Sequence, residues 1–212
     1  KARETLDGIF EGGHIFLMES VTERKFIRPD NSEENILGVK VSGFKEASFA
    51  PLATDLQPFS FYKDNIPILE VDYLNPISQG SLSKYEFHIR DTLFQGKDTV
   101  FVLSYAPLEG KNFEALTGLL YINTNHYAIQ NVTAKPYSRG FIDVTIQQQY
   151  QWIDGRQWFP EQLKFELTLH QNASTTVGVK AGGISYIDSV QLDLPLRKKD
   201  FPMDAVTMDP SA

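Results

Sequence analysis

The sequence predicts a mainly β protein, built as a single curved antiparallel sheet of the half-barrel, meander type with a short helical plug or lid segment over residues 44–74. Three observations indicate this fold. Apolar and polar residues alternate along most of the chain, turn-forming residues separate the alternating stretches, and residues 44–74 break the alternation. Meander strands pair with their neighbours in sequence, so one curved sheet is the simplest architecture.

The first half of the chain contains two predicted hairpins. Residues 15–27 form a long strand whose outer part is charged, and residues 35–42 are its partner across a polar loop. Residues 84–93 and 99–105 flank a turn of Gln95-Gly96-Lys97-Asp98. Because residues 99–105 are apolar at both parities, we expect this strand to lie inside the sheet and to be covered on both faces.

The second half continues the meander with two further hairpins. Residues 116–122 pair with residues 127–134, and residues 141–153 pair with residues 163–169 across a tight turn at Asp154-Gly155. Aspartate and glycine both tolerate the positive φ that such a turn requires.

Two positions predict irregular strand pairing. Pro160 has no backbone N–H to donate, so we place it at a strand entrance or at a bulge. The last strand system, residues 175–194, is interrupted at Gly182-Gly183, where we expect a bulge or a sharp bend.

The segment 44–74 fits neither a clean strand nor a long helix, because Pro51, Pro58 and Pro67 limit helix length. We predict short helical turns at residues 50–57 and 65–70. The large apolar side chains of the segment need a surface to cover, and we expect them on the concave face of the sheet. They are Phe44, Phe49, Leu52, Leu56, Phe59, Phe61 and Tyr62.

The length of 212 residues favours a single domain. A folded chain of this size buries about 70% of the surface that the unfolded chain exposes, so a core forms without disulfides or structural metal ions. The strand pattern stops after Pro195. We therefore predict a sheet domain over residues 1–194 and a linker or appendage over residues 195–212.

Composition excludes several classes of function. The net charge of -7 repels phosphate backbones, so nucleic acid is not expected as a partner. The chain has no cysteine, which rules out disulfides, thiolate metal sites and a cysteine nucleophile. No apolar run approaches the ~20 residues of a membrane-spanning helix.

Catalytic patterns are weak throughout the chain. None of the four histidines has metal-ligand spacing, and the glycines match no phosphate-binding loop. No serine lies in a nucleophile elbow. The carboxylates of one hairpin keep a polysaccharide hydrolase as a distant alternative, although strand and turn positions account for them; they are Asp143, Asp154, Glu161 and Glu166. We predict no enzyme activity, no catalytic residue, no metal ligand and no cofactor.

Trp152 and Trp158 flank the Asp154-Gly155 turn. Two readings stay open: a sugar-stacking or partner-binding platform, and packing of the two rings across the hairpin. Cross-strand packing favours the second.

Four segments carry a resemblance to a known family: Gly43-Phe44-Lys45, Ser60-Phe61-Tyr62, Tyr73-Leu74-Asn75-Pro76-Ile77-Ser78 and residues 119–132 (LLYINTNHYAIQNV). From about residue 19 to about residue 194 the chain resembles the middle region of large Gram-negative outer-membrane proteins of unknown function. Members combine a carboxypeptidase-regulatory-like sandwich, a periplasmic middle region and a C-terminal membrane β-barrel. The resemblance implies a periplasmic location, with outer-membrane association through regions outside this chain, and it implies no catalytic residues.

A second resemblance concerns shape. The hairpin at residues 118–132 and the strands around Trp152 and Trp158 look like those of lipoprotein-carrier half-barrels, whose apolar concavity receives acyl chains. This chain departs from that pattern because no long helix precedes the first strand.

We therefore expect a non-enzymatic periplasmic domain whose concave face binds a lipid-like or other apolar ligand. The expected ligand-binding residues are Phe44, Phe49, Leu52, Phe59, Phe61, Tyr62, Trp152 and Trp158. The alternative is a structural spacer or protein-interaction module that links a membrane barrel to neighbouring domains of the same polypeptide. An unfilled apolar hollow above about 300 Å³ favours the ligand, and a filled one favours the spacer.

Overall fold

The computed structural model describes residues 16–27, 31–43, 60–138, 140, 142–170, 178–201 and 206–208. The fold is mainly β and its sheets are antiparallel apart from one short strand, so the predicted fold class is confirmed, but the described strands form three sheets rather than the single one predicted. The chain divides into two compact units: residues 1–50 with 191–212, and residues 51–190.

The smaller unit contains a three-stranded sheet. Strands β1 (Phe16–Ile27) and β2 (Asn31–Gly43) form the predicted N-terminal hairpin, with a register shift between Val21 and Thr22. The last strand, β12 (Val206–Met208), pairs in parallel with β2.

The larger unit contains a seven-stranded antiparallel sheet in which every strand pairs with its neighbour in sequence. Its edges, β5 and β11, pair with no further strand among the described residues, so the sheet is an open meander. The strands are β5 (Tyr85–Gln95), β6 (Asp98–Pro107), β7 (Leu116–Asn123), β8 (Ala128–Pro136), β9 (Ile142–Ile153), β10 (Gln157–His170) and β11 (Gly178–Tyr186).

The predicted two-sided burial of β6 is confirmed. This strand is flanked by β5 and β7. Val102 and Tyr105 lie three residues apart and therefore point to opposite faces, yet both are buried. We call the face that carries Tyr105 the inner face and the opposite one the outer face.

One of the two predicted pairing irregularities is confirmed, and the bulge predicted at the other position is absent. The β9–β10 register shifts between Pro160 and Gln162, as expected for a residue that cannot donate to the ladder. Gly182 and Gly183 stay in step with β10 and form no bulge. A Cβ on Gly182 would lie 3.2 Å from the backbone oxygen of Phe165, so close approach of two strands explains this glycine.

The predicted helical turn at residues 65–70 is also wrong. That stretch belongs to a small hairpin of β3 (Asn65–Ile68) and β4 (Val71–Leu74). Ile66 and Ile68 are buried while Asn65 and Pro67 are exposed, and this period of two defines a strand. The other predicted turn, at residues 50–57, lies outside the described residues. Short 3-10 helices occur at Ser81–Ser83 and Lys198–Asp200.

The core lies on the inner face of the seven-stranded sheet. The small hairpin and the residues next to it pack on this face, and we call residues 60–84 the cover segment. The buried cluster consists of Phe61, Ile66, Ile68, Tyr85, Tyr105, Ala115, Leu116, Leu120, Ile129, Val132, Ala134, Val144, Ile146, Tyr150, Phe165 and Leu167.

Candidate functional site at the aromatic end of the inner face

The structure brings together four of the eight predicted site residues. Phe61, Tyr62, Trp152 and Trp158 lie at one end of the inner face, where Tyr150 contacts the cover segment and precedes Trp152 by two positions on the same face of β9. The other four, Phe44, Phe49, Leu52 and Phe59, lie outside the described residues.

The two tryptophans form a cross-strand pair next to the β9–β10 turn. Trp152 and Trp158 are directly opposite in the register, and their ring centroids are 5.9 Å apart. Both side chains are half-buried. Asp154 and Gly155 take φ angles of 52° and 65°, as the tight turn requires. Packing of the rings across the hairpin is therefore confirmed.

The neighbouring tip between β7 and β8 joins this pair. The Trp158 indole Nε1–H donates to the Asn125 carbonyl at 2.9 Å, and the His126 ring stacks on Trp152 with centroids 5.0 Å apart. His126 and Tyr127 have φ angles of 63° and 50°. Two consecutive non-glycine residues with left-handed backbone angles cost conformational energy, which the surrounding contacts offset.

Tyr150 fixes the cover segment against the sheet. Its hydroxyl accepts a hydrogen bond from the Phe61 N–H at 2.9 Å and donates to Gln148 Oε1 at 2.7 Å. The Tyr62 ring meets the Tyr150 ring edge to face at 5.8 Å. The Tyr62 hydroxyl accepts from the Ile129 N–H at 2.8 Å, on the neighbouring strand β8.

Burial shifts the pKa values of both tyrosines in the same direction. Desolvation raises the pKa of Tyr150 and, to a smaller extent, that of Tyr62, because a phenolate loses its hydration there. Both hydroxyls are therefore neutral at physiological pH and act as hydrogen-bonding groups rather than as bases.

Asn75 links the beginning of the cover segment to the residues that follow β4. It is fully buried, and its Nδ2 donates to the carbonyls of Phe61 at 2.6 Å and Lys63 at 2.7 Å. Its Oδ1 accepts from the Ile77 N–H at 3.0 Å. The Tyr85 hydroxyl adds a link by donating to the Leu74 carbonyl at 2.6 Å and accepting from the Leu116 N–H at 3.0 Å. These contacts place Phe61 and Tyr62 on the inner face.

The site offers rings and hydrogen-bonding edges rather than acid–base chemistry. Its six side chains are Phe61, Tyr62, His126, Tyr150, Trp152 and Trp158, and they include no carboxylate. Within the part of the chain that the structure describes, no group of three or more His, Asp or Glu side chains is placed to hold a metal ion. The arrangement is suited to stacking against a planar or apolar surface.

Two of the carboxylates considered for hydrolysis lie on the outer face of the sheet. Asp143 is on the outer face, where its Oδ2 lies 2.7 Å from His170 Nε2. Glu166 pairs with Lys164 at 2.8 Å on the same face. Asp154 belongs to the β9–β10 turn.

A separate surface depression of about 270 Å³ lies on the β1–β2 hairpin, lined by Glu19, Ser20, Val21, Gly38, Val39 and Lys40. It is smaller than the roughly 300 Å³ at which ligand pockets usually begin.

His126 and Tyr150 are the site members that sequence reasoning missed. The spacing of the four histidines gave His126 no role, and Tyr150 fits the apolar parity of its strand like other core positions. The sequence does contain a signal for His126, because alternate turns of a meander lie at the same end of the strands. This rule places the β7–β8 tip beside the β9–β10 turn.

The fold and the site define a mainly β module whose open sheet has one face packed by a cover segment and a cluster of accessible rings at its end. The chain belongs to a family of unknown function (DUF5686), whose sequence model matches residues 1–185. No curated protein and no solved structure matches the chain. Among the described residues, no helix is both long and apolar enough to cross a membrane.

Proposed function

We propose that this chain is a non-enzymatic module of a periplasmic, outer-membrane-associated protein, acting as a structural spacer and interaction platform between neighbouring domains of one polypeptide. The location comes from the resemblance described above. One observation carries the spacer role: the described part of the inner face is filled by the chain's own side chains. Phe61 is 0% exposed there, and Ile66 and Ile68 are buried beside it.

The aromatic end supplies the contact surface in this proposal. Tyr62 is 51% exposed, and the His126 and Trp152 rings stack on each other at the same end of the inner face. Half-exposed aromatic rings with fixed orientations are frequent anchors of protein–protein contacts. A partner domain that covers these rings would fix the orientation of the module.

A second candidate function is binding of a lipid-like or other apolar ligand. It is favoured by the half-buried state of both tryptophans, since an acyl chain that reached the aromatic end would lie against these rings. This second function also uses four of the predicted ligand-binding residues, Phe44, Phe49, Leu52 and Phe59.

Tryptophan fluorescence separates the two candidates, because the chain has only two tryptophans and both lie in the site. The full chain is titrated with a brominated long-chain fatty acid, which quenches indole emission on contact. The spacer proposal expects no saturable quenching. Saturable quenching that a Trp152→Phe variant reduces would replace it with the ligand candidate.

The interaction role is tested with the segments that flank this chain in its full-length protein, added as separate polypeptides. We expect a blue shift of the indole emission on addition, and a Trp152→Ala variant should bind at least about tenfold more weakly. An Asn112→Ala variant, at an exposed position away from the site, is the matched control. Equal binding by the Trp152 variant and the control would exclude the aromatic end as the contact surface.

A further inference from the structure

The outer face of the seven-stranded sheet carries a row of uncharged polar side chains. The register places five residues directly beside one another across five neighbouring strands. We call them the amide row; they are Tyr121, Asn131, Gln149, Gln162 and Tyr186. At the usual strand spacing of about 4.8 Å, the four intervals of this row span roughly 19 Å.

The amides of this row have unused hydrogen-bonding capacity. In the described part of the chain, the side chains of Asn131, Gln149 and Gln162 make no hydrogen bond to another protein group. Each amide offers two donor hydrogens and two acceptor lone pairs. The Gln147 side chain, in the adjacent row, likewise makes no hydrogen bond to another protein group among the described residues.

Other side-chain amides of the same face hydrogen-bond to one another. Asn123 Nδ2 donates to Gln130 Oε1 at 2.9 Å, and Gln130 Nε2 donates to Gln95 Oε1 at 3.1 Å. These three side chains satisfy one another near the buried Val100, so they have a structural role. The amide row has no such internal network.

Two pairs of ionisable side chains lie close together on the same face as the row. Lys164 and Glu166 pair at 2.8 Å, and His170 and Asp143 pair at 2.7 Å. The row itself contains no basic group, so it does not attract a phosphate backbone or an anionic lipid surface. Its two ends are tyrosines, and Tyr186 is 73% exposed.

We propose that the outer face binds a neutral glycan, a chain of uncharged sugar units laid across the strands along the amide row. Sugar hydroxyls both donate and accept hydrogen bonds, as the row's amides do, and the C–H faces of sugar rings pack on tyrosine. A protein partner fits less well, since protein interfaces usually have apolar or aromatic centres and polar rims. Here the centre is polar and the aromatic rings lie at the ends.

The test is native affinity electrophoresis of the full chain in gels that contain one soluble polysaccharide each. The neutral probes are hydroxyethyl cellulose, a β-1,3-glucan and a mannan, and polygalacturonate is the anionic comparison. The net charge of -7 carries the protein toward the anode at neutral pH, so retardation by a neutral polymer reports binding. The test variant is the double substitution Asn131→Ala with Gln149→Ala, and Asn112→Ala is the control.

We expect at least one neutral polysaccharide to retard the chain and the double variant to bind it about tenfold more weakly, with the control unchanged. Circular dichroism and melting curves establish that the variants are folded. Three results would each overturn the proposal: no retardation by any neutral probe, retardation by polygalacturonate alone, or equal affinity of the double variant. None of these results bears on the tryptophan experiments, so the two proposals fail separately.

Discussion

At the scale of single residues, Gly118 shows how one position without a side chain organises the inner face. Tyr105 lies directly opposite Gly118, and its hydroxyl reaches over that strand to donate to the Thr133 carbonyl at 3.1 Å. A Cβ on Gly118 would lie 3.0 Å from the Tyr105 hydroxyl and would collide with the Thr133 backbone oxygen. The contact of three strands at this point therefore depends on glycine.

We expect Gly118→Ala to lower the free energy of unfolding by about 3 kcal/mol, because the backbone of β8 cannot move without breaking the sheet. Urea denaturation gives the value. The matched control is Gly38→Ala, at a strand glycine where an added Cβ meets nothing within 4 Å. A loss below about 0.5 kcal/mol for Gly118→Ala would show that the strands separate easily here.

The buried Asn75 gives a second prediction at this scale. Asn75→Ala leaves two carbonyl oxygens and one N–H of the cover segment without their partner. We expect a loss of about 3 kcal/mol in unfolding free energy, since unpaired buried groups keep their desolvation cost. Asn112→Ala, at an exposed asparagine, should cost less than about 0.5 kcal/mol in the same urea experiment. Equal costs would mean that water replaces the lost bonds.

At the scale of elements, the alternation of apolar and polar residues was sufficient to predict the strands of the meander and the Pro160 bulge. It was insufficient at positions where the same sequence pattern can arise from two different structural causes. Pro67 suggested a broken helix, but Ile66 and Ile68 are buried at a period of two. Gly182-Gly183 suggested a bulge, but close strand approach accounts for Gly182. The Trp152–Trp158 pairing followed from the turn, whereas Tyr150 became recognisable as a site residue only through its contact with Phe61.

Three tyrosine hydroxyls link the cover segment to the sheet, in addition to its apolar packing, and they predict alkaline instability. Burial raises the pKa of Tyr62, Tyr85 and Tyr150 above the ordinary value of about 10. These groups stay protonated in the folded chain while they ionise in the unfolded chain. Their stabilisation is therefore complete below about pH 10 and is lost as pH rises through the folded-state pKa values.

We expect the unfolding free energy to fall above about pH 10 by up to about 1.4 kcal/mol per pH unit for each such tyrosine. Urea denaturation at a series of pH values measures the slope. Tyr150→Phe should lower stability at neutral pH by about 1 to 3 kcal/mol and make the alkaline slope shallower. Tyr137→Phe, at an exposed position, controls for loss of a phenol at neutral pH. An unchanged slope in Tyr150→Phe would contradict the assignment.

At the scale of the whole molecule, the two faces of the seven-stranded sheet have different chemistry. The inner face is packed by the cover segment and carries accessible rings at its aromatic end. The outer face carries unpaired amides between two tyrosines. Because neighbouring strand residues alternate between faces, the same strands build both surfaces, and β9 contributes Trp152 to one and Gln149 to the other.

The division into two units leads to the last prediction. Every described member of the core cluster lies between Phe61 and Leu167, inside the larger unit. We therefore expect a fragment of residues 51–190 to fold without the remaining chain, because its core is complete. Near-ultraviolet circular dichroism should match that of the full chain in the aromatic region, since both tryptophans are retained. Urea unfolding should remain a single sharp transition within about 1 kcal/mol of the corresponding transition in the full chain. A broad transition with no near-ultraviolet signal would contradict an independent larger unit and would favour the single domain over residues 1–194 that the sequence predicts.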